Sequence, residues 1–166
     1  MTESADLKIA IPGIVFGSVG TCGQRCTTTR RLIIHESIYG KVKEKLVQAY
    51  TQLENRVGDP HDPDTLIGPM IDKTAVNNFR NALNAIHEHG GEIIYGGEIL
   101  TGFPSELYVR PALANVENHW QIVQQETFAP LLYLIKYKDF DEALSLQNDV
   151  PQGLSSAIFT LSLIHI

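Results

Sequence analysis

The segment GTCGQRCTTTRRLIIHES, residues 20–37, joins an apolar run to a β-branched run and so predicts a junction between a helix and a strand. The run before it, LKIAIPGIVFGSVGTCG (7–23), is rich in small apolar residues and lacks strict alternation, which favours a buried helix that ends around residues 20–23. Pro12 comes early in this run, where the first turn of a helix tolerates proline. RRLIIHES (30–37) is bounded by polar residues and predicts a short buried strand. Cys26 therefore lies between a helix and a strand.

Helices and strands alternate along the rest of the chain. GKVKEKLVQAYTQL (40–53) and KTAVNNFRNALNAIHEHGG (73–91) have apolar residues at helical spacing and predict amphipathic helices, the second stopping at Gly90. Between them, the prolines, glycines and aspartates of VGDPHDPDTLIGPMID (57–72) predict a long ordered loop. Strands are predicted at EIIYG (92–96), LYVRPALANV (107–116), LLYLIKYK (131–138) and LSSAIFT (154–160), and a helix at FDEALSLQND (140–149). This alternation predicts βαβ units and an α/β fold, with helices covering a mainly parallel sheet.

Composition excludes several classes of protein. A chain of 166 residues with 43% apolar and 19% charged residues suits one globular domain, or part of one. A net charge of −6 without blocks of like charge argues against nucleic acid or anionic lipid as a partner. No apolar run approaches the ~20 residues that span a bilayer, and the first residues lack the features of a secretory signal. Two cysteines suit a reducing compartment, so a cytoplasmic location is expected.

Spacing alone leaves three interpretations of Cys26 open. It can be a nucleophile, half of a metal or disulfide pair with Cys22, or a small buried side chain. The six histidines are scattered singly and supply no further ligands of matching spacing, so no metal site is predicted. A reversible Cys22–Cys26 disulfide that switches off the nucleophile is a hypothesis.

Other polar residues near these elements also have alternatives. Glu126 and Phe128 of QETFAP can be a surface acid followed by a core phenylalanine. Arg25 has a fork of donors that suits bidentate capture of a carboxylate, or it can pair with a nearby acid of the chain. Arg30 and Arg31 are interpreted as charges at the edge of a strand.

Four segments, in order, carry a resemblance to a known family. They are GQRCTTTRRLIIHESIYGKVKEKL (23–46), VGDPHDPDTLIGPMID (57–72), QQETFAPLLYLIKYKDFDEAL (124–144) and QGLSSAIFT (152–160). Together they resemble the catalytic domain of the aldehyde dehydrogenase superfamily over about residues 5–160. GQRCTTTRR and HES are most similar to the antiquitin branch, the α-aminoadipic semialdehyde dehydrogenases.

The resemblance implies an NAD(P)-dependent oxidation of an aldehyde to a carboxylate, with NAD as the cofactor and NADP as a second option. Cys26 would attack the aldehyde as a thiolate, and the thiohemiacetal would expel hydride to leave a thioester. Glu126 would bind the hydroxyls of the nicotinamide ribose, and Phe128 would pack against that ribose and ring. Arg25 would hold the distal carboxylate of the substrate, as the matching arginine does in the antiquitin branch.

The resemblance also sets expectations about the extent of the chain. The family's general base, its asparagine oxyanion donor and most of its adenine pocket precede the matched region, so the chain alone is expected not to turn over. Residues 1–160 are expected to be a catalytic-domain fragment. LSLIHI (161–166) resembles a translated sequencing adapter and is expected to be a non-native tail.

The family further implies a parent homo-oligomer, a dimer or tetramer, acting on a small-molecule aldehyde in the cytoplasm or the mitochondrial matrix. The alternative hypothesis is a thiol-bearing or interaction module that kept the fold without catalysis. A large exposed apolar patch would favour the first hypothesis, because it would mark where a missing part of the enzyme packs.

Overall fold

The computed structural model describes residues 1–162, so the end of the expected tail, residues 163–166, lies outside the described part. The helices are α1 (Leu7–Val19), α2 (Glu36–Gln52), α3 (Lys73–Glu88), α4 (Gln121–Gln124) and α5 (Phe140–Asn148). The strands are β1 (Arg31–His35), β2 (Glu92–Tyr95), β3 (Ala112–Asn115) and β4 (Leu131–Tyr137). Two 3-10 turns, Gly20–Gly23 and Glu54–Arg56, follow α1 and α2.

The four strands form one sheet in the order β1-β4-β3-β2. β1, β4 and β3 run parallel, and β2 is antiparallel to β3 at the edge. The α/β prediction with a mainly parallel sheet is therefore confirmed. In the β1–β4 register Arg31 lies opposite Tyr133, which places Arg30, the residue just before β1, beside the first residues of β4.

The core lies between this sheet and the amphipathic faces of the helices. α3 buries Val76, Phe79, Ala82 and Ile86, as its helical spacing predicts. Full burial of such apolar side chains contributes roughly 1.5 to 3 kcal/mol each for the larger ones. Where α1 meets α2, the buried Ser18 and Tyr50 hydroxyls pair at 2.8 Å, so these two polar groups in the core are hydrogen-bonded.

Two boundaries differ from the prediction. α2 begins at Glu36, so the β-branched run ends as a strand at His35, whose ring Nδ1 accepts the Ser37 N–H at 3.3 Å and caps the helix. Pro12 lies in the second turn of α1, because Asp6 caps that helix at its start. Its ring has no N–H for the intrahelical bond there.

α1 is apolar all round, but it is not buried all round. Ile9 and Phe16 are 68% and 58% exposed. With the exposed Pro12 and Gly13 they form a stripe at helical spacing on one face of α1, which we call the α1 stripe. The prediction of a fully buried helix is therefore wrong for this face.

The prediction of a last strand at LSSAIFT is also wrong. Residues 154–158 are exposed and form no ladder. The amino-terminal residue occupies the free edge of β1, where the Met1 amino group donates to Ile33 O at 2.7 Å and Met1 O accepts the His35 N–H at 3.1 Å. Because these edge groups are already paired, the later segment has no strand to join and contacts Thr2 through Phe159 O instead.

LYVRPALANV contributes a ladder only over Ala112–Asn115, since Pro111 has no N–H to donate, and Val109 forms an isolated bridge with Ile99. None of the helices in residues 1–162 is long and apolar enough to cross a membrane.

Candidate active site

Cys26 lies at the tip of a tight turn between α1 and β1. The Thr28 N–H donates to Arg25 O at 3.1 Å, and the Thr28 hydroxyl accepts the Arg25 N–H at 3.1 Å, which closes the turn from both sides. The Cys26 side chain is exposed, so its interpretation as a small buried side chain is wrong. Within residues 1–162, the Cys26 N–H donates to no protein acceptor. The turn thus presents a thiol and a free backbone donor to solvent.

A left-handed stretch precedes this turn and sets its direction. Thr21, Cys22 and Gly23 have φ values of 54°, 52° and 65°. For the two non-glycine residues this conformation costs roughly 1 to 2 kcal/mol each, so the surrounding packing must maintain it. A Cβ on Gly23 would lie 2.3 Å from the carbonyl carbon and oxygen of Ala129. The backbone around Gly23 therefore packs directly on the segment that leads into β4.

Gln24 ties the same stretch to the long loop. Its side-chain oxygen accepts the Ile71 N–H at 2.9 Å, and its amide nitrogen lies 3.5 Å from Pro69 O. The turn carrying Cys26 is thus held by the 57–72 loop as well as by α1 and β1.

Cys22 is a different kind of cysteine. Its side chain is 1% exposed, and its Sγ lies 3.5 Å from Met70 Sδ in the core. Burial raises the pKa of this thiol to about 12, so it is not ionised near neutral pH. Both cysteines are free thiols. Among the described residues, no three His, Cys, Asp or Glu side chains lie together where they could hold a metal ion.

An open cleft of about 930 Å³ lies beside the turn. Its walls come from the Cys26 turn, β1, α5 and the exposed segment after α5. Cys26 and Glu126 both line it, so the structure brings together two of the residues singled out from the sequence. At 930 Å³ the cleft falls within the size range of small-molecule sites.

Phe128 is 43% exposed, so its interpretation as a core phenylalanine is wrong. The Arg30 guanidinium lies 5.3 Å from the ring centroid. At this distance a cation–π interaction keeps the ring at the surface without burying it.

Arg25 is not brought to the cleft with Cys26. Its guanidinium lies 5.1 Å from the centroid of the Phe16 ring, and its Nε donates to the Thr21 hydroxyl at 2.7 Å. Within residues 1–162 it forms no ion pair with an acid, which was the alternative for this residue. Arg25 therefore lies over the exposed end of α1 in this structure.

Arg30 contacts two segments of the candidate site, and the sequence analysis did not predict these contacts. Its Nη2 lies 2.9 Å from Glu126 Oε1, and its side chain is 17% exposed. The interpretation as a strand-edge charge is wrong, because the Arg30 side chain reaches from the start of β1 to Thr127 and Glu126 in the segment before β4. The only sequence signal for this contact was an arginine two residues before a buried strand run, which does not identify a partner.

Arg31 also belongs to the interior of the molecule and not to a free edge. It donates to Asn118 Oδ1 at 2.8 Å and to the carbonyl oxygens of Leu146 and Gln147 at 2.7 and 3.0 Å. Burial lowers the pKa of Arg31, and the nearby Asp149 carboxylate partly offsets this effect. Arg31 thus anchors the carboxyl end of α5, which forms one wall of the cleft.

Comparisons with known proteins agree with this architecture. The sequence of this chain matches the family model of the aldehyde dehydrogenase family over residues 1–166. The chain is 46% identical over 162 residues to the α-aminoadipic semialdehyde dehydrogenase of Mus musculus, covering 97% of this chain and 29% of that protein. The chain therefore spans less than a third of the length of this curated relative.

Two solved structures are similar in fold. HpcC from Thermus thermophilus superposes with a TM-score of 0.92 at 33% identity, over 99% of this chain and 33% of that one. A betaine aldehyde dehydrogenase from Staphylococcus aureus, in complex with NAD⁺, has a TM-score of 0.90 at 25% identity, over 96% of this chain and 32% of that one.

Proposed function

This chain belongs to the aldehyde dehydrogenase family, and on that premise we propose that it is the nucleophile-bearing part of an enzyme that oxidises an aldehyde to a carboxylate. The observation that supports this most directly is the exposed Cys26 thiol at the tip of its turn, on a cleft shared with Glu126. The cofactor is NAD, with NADP as a second option.

Cys26 starts the reaction as a thiolate. Its sulfur attacks the carbonyl carbon, a C–S bond forms, and the carbonyl π electrons move onto oxygen to give an alkoxide. The Cys26 N–H, which has no acceptor within residues 1–162, donates to this oxygen. One such donor contributes roughly 3 kcal/mol to stabilisation of a developing oxyanion.

When bound, the nicotinamide dinucleotide accepts the hydride expelled by the collapsing alkoxide, which leaves a thioester on Cys26. Water then adds to the thioester, the C–S bond breaks, and the carboxylate, the free Cys26 thiol and one proton are released. The exposed side chains on this side of the cleft fit the nicotinamide end of the cofactor. Glu126 offers a carboxylate to the paired ribose hydroxyls, and the exposed face of Phe128 limits where the nicotinamide ring can lie.

We propose α-aminoadipic semialdehyde as the substrate, following the activity for which the mouse relative is named. This molecule has a carboxylate far from its aldehyde, and Arg25 would bind it through two parallel hydrogen bonds. Arg25 now lies over Phe16, so this role requires its guanidinium to leave that ring.

We also propose that residues 1–160 are one piece of a larger enzyme and that residues 161–166 are not native to it. The exposed α1 stripe supports this proposal, since a continuous apolar helix face is the kind of surface that a further part of an enzyme covers. The whole enzyme would be a homo-oligomer located in the cytoplasm or the mitochondrial matrix, and the chain alone would not turn over.

The chemistry can be tested on the chain itself with an aldehyde labelled with ¹³C at the carbonyl carbon. We expect a thiohemiacetal resonance, distinct from that of the aldehyde hydrate, which Cys22→Ala retains and Cys26→Ser loses. With NAD added, no NADH absorbance should develop. A spectrum identical for the parent chain and Cys26→Ser would reject Cys26 as the nucleophile.

A further inference from the structure

Arg30 connects the two segments that carry the candidate site residues. On the side of the Cys26 turn, its Nη2 donates to Arg25 O and its Nη1 to Thr28 O, each at 3.2 Å. On the side of the segment before β4, its Nε donates to Thr127 O at 3.4 Å, and its Nη2 lies 2.9 Å from Glu126 Oε1. One guanidinium therefore holds both segments at once.

These contacts depend on the planar arrangement of the N–H donors in the guanidinium. Arginine carries five N–H donors in a rigid plane, and Arg30 directs donors from all three of its nitrogens to four acceptors while its face covers the Phe128 ring. Lysine could pair with Glu126, but its three donors radiate from one nitrogen and could not reach both segments. The observed arrangement is thus specific to arginine.

We propose that Arg30 is a positioning residue, which fixes the turn carrying Cys26 against the segment carrying Glu126 and Phe128 and keeps the Glu126 carboxylate charge-paired on the cleft that Cys26 also lines. The inference rests on the proposed function for the roles of those three residues. It adds that their relative placement is set before any cofactor binds. It also adds that the positive charge of Arg30 compensates the negative charge of Glu126 that would otherwise act on the Cys26 thiolate.

Other ionisable groups face the same cleft. They are the Met1 amino group, Arg31 and Tyr137. Burial lowers the pKa of the Met1 amine to about 6, and Arg31 is engaged by α5. Because these groups are unchanged in every variant described below, differences between the variants report on Arg30 and Glu126 alone.

The test measures the rate of Cys26 alkylation by iodoacetamide between pH 5 and 10 in the Cys22→Ala background. Arg30→Gln leaves the Glu126 carboxylate unpaired, so we expect Cys26 to be alkylated more slowly at neutral pH. Glu126→Gln leaves the Arg30 guanidinium unpaired and should change the rate of Cys26 alkylation by a similar factor in the opposite direction. The double variant should return close to the parent, because the two residues act as a pair.

Two further variants separate positioning from general stability. Arg30→Lys keeps the charge and should retain the parent alkylation rate of Cys26 while lowering the melting temperature, because the carbonyl contacts are lost. Arg110→Gln removes a guanidinium that pairs with Glu54 and Glu98 away from the cleft, and should lower stability without moving the Cys26 profile. If Arg30→Gln does not fold, Glu126→Gln and Arg30→Lys still test the opposite shift and the charge rescue.

The inference is overturned if Arg30→Gln and Glu126→Gln leave the Cys26 profile unchanged, or shift it in the same direction. Failure of the proposed function looks different. It would appear as a missing thiohemiacetal signal in the aldehyde experiment, while the opposite shifts of the two variants would persist.

Discussion

The Arg30 guanidinium lies 2.9 Å from the Glu126 carboxylate and joins two segments that are distant in the sequence. The two side chains are 17% and 44% exposed, so the pair contributes at most about 1 kcal/mol to stability. Its importance is geometric. The Arg30 guanidinium contacts both the turn that carries Cys26 and the segment that carries Glu126 in this aldehyde dehydrogenase family chain.

The two cysteines should differ sharply in reactivity. Cys26 is exposed, whereas the buried Cys22 has its pKa raised to about 12 and is ionised in only about one molecule in 10⁴ at pH 8. We expect iodoacetamide to modify Cys26 at least ~100-fold faster, as measured by peptide mass spectrometry. Cys22→Ala should label at the parent rate and Cys26→Ser hardly at all. Equal labelling of both cysteines in the folded chain would contradict the burial of Cys22.

The Cys22 thiol should also make stability depend on pH in the alkaline range. Its pKa is about 12 in the folded chain and 9.0 in the reference state, so between these values the unfolded state binds fewer protons. The contribution of Cys22 to the free energy of unfolding is therefore fully present below pH 9. It decreases as the pH rises above 9, by up to ~1.4 kcal/mol per pH unit. Urea titrations at pH 8 to 11 measure this slope.

Tyr39 and Tyr95, whose pKa values are raised to about 12 by burial, act in the same direction and serve as a shared background. Cys22→Ala should therefore show a slope shallower by about 1 kcal/mol per unit above pH 9. Parallel slopes for the two chains would show that Cys22 titrates normally in the folded state.

Gly23→Ala should destabilise the chain strongly. Gly23 has φ +65°, and a Cβ would lie 2.3 Å from the Ala129 carbonyl, so both strain and a clash oppose the change. We expect a loss of at least ~2 kcal/mol in thermal or urea unfolding. Gly40→Ala is the matched control, because Gly40 lies inside α2 with nothing within 4 Å of its Cβ position. There alanine should stabilise by about 0.5 to 1 kcal/mol, and similar effects at both sites would argue against the close approach.

Asn118→Ala should loosen α5. The buried Asn118 side chain accepts from Arg31 at 2.8 Å and donates to the Asp149 carboxylate at 2.9 Å. Its removal leaves both charged groups short of a partner and should cost about 2 kcal/mol, with faster amide exchange in α5. Asn78→Ala, on the exposed face of α3, should be neutral within ~0.5 kcal/mol. If amide exchange in α5 were unchanged, the hydrogen bonds of Asn118 would not be what holds this helix in place.

The α1 stripe should make the isolated chain self-associate. Ile9→Gln removes an exposed apolar side chain from the stripe and should shift sedimentation velocity profiles toward monomer, with unfolding free energy unchanged within ~0.5 kcal/mol. Ile71, which is 80% exposed on a loop outside the stripe, provides the control variant Ile71→Gln. Equal effects of both substitutions would mean that association is nonspecific and does not involve α1.

Much of the fold followed from local patterns. Helical spacing predicted α3 and most of α2, a β-branched run predicted β1, the run LLYLIKYK predicted β4, and the prolines and aspartates of residues 57–72 predicted the long loop. These patterns succeed because burial of one face of a helix or strand depends on residues only a few positions apart.

The sequence by itself also determined the family, and through ordered motifs it singled out Cys26, Glu126, Phe128 and Arg25 as candidates. Only the tertiary structure decided which of them share a cleft: Cys26 and Glu126 do, and Arg25 lies elsewhere over Phe16. The same holds for LSSAIFT, which has a strand-like pattern but finds the edge of β1 already paired by Met1.

The contacts of Arg30 could not be predicted for the same physical reason. An arginine identifies a donor but not its acceptors, and here those acceptors are set by the register of β1 against β4 and by the left-handed turn that aims Cys26. Local spacing determines which face of an element is buried, whereas the partner across the gap depends on how the elements pack.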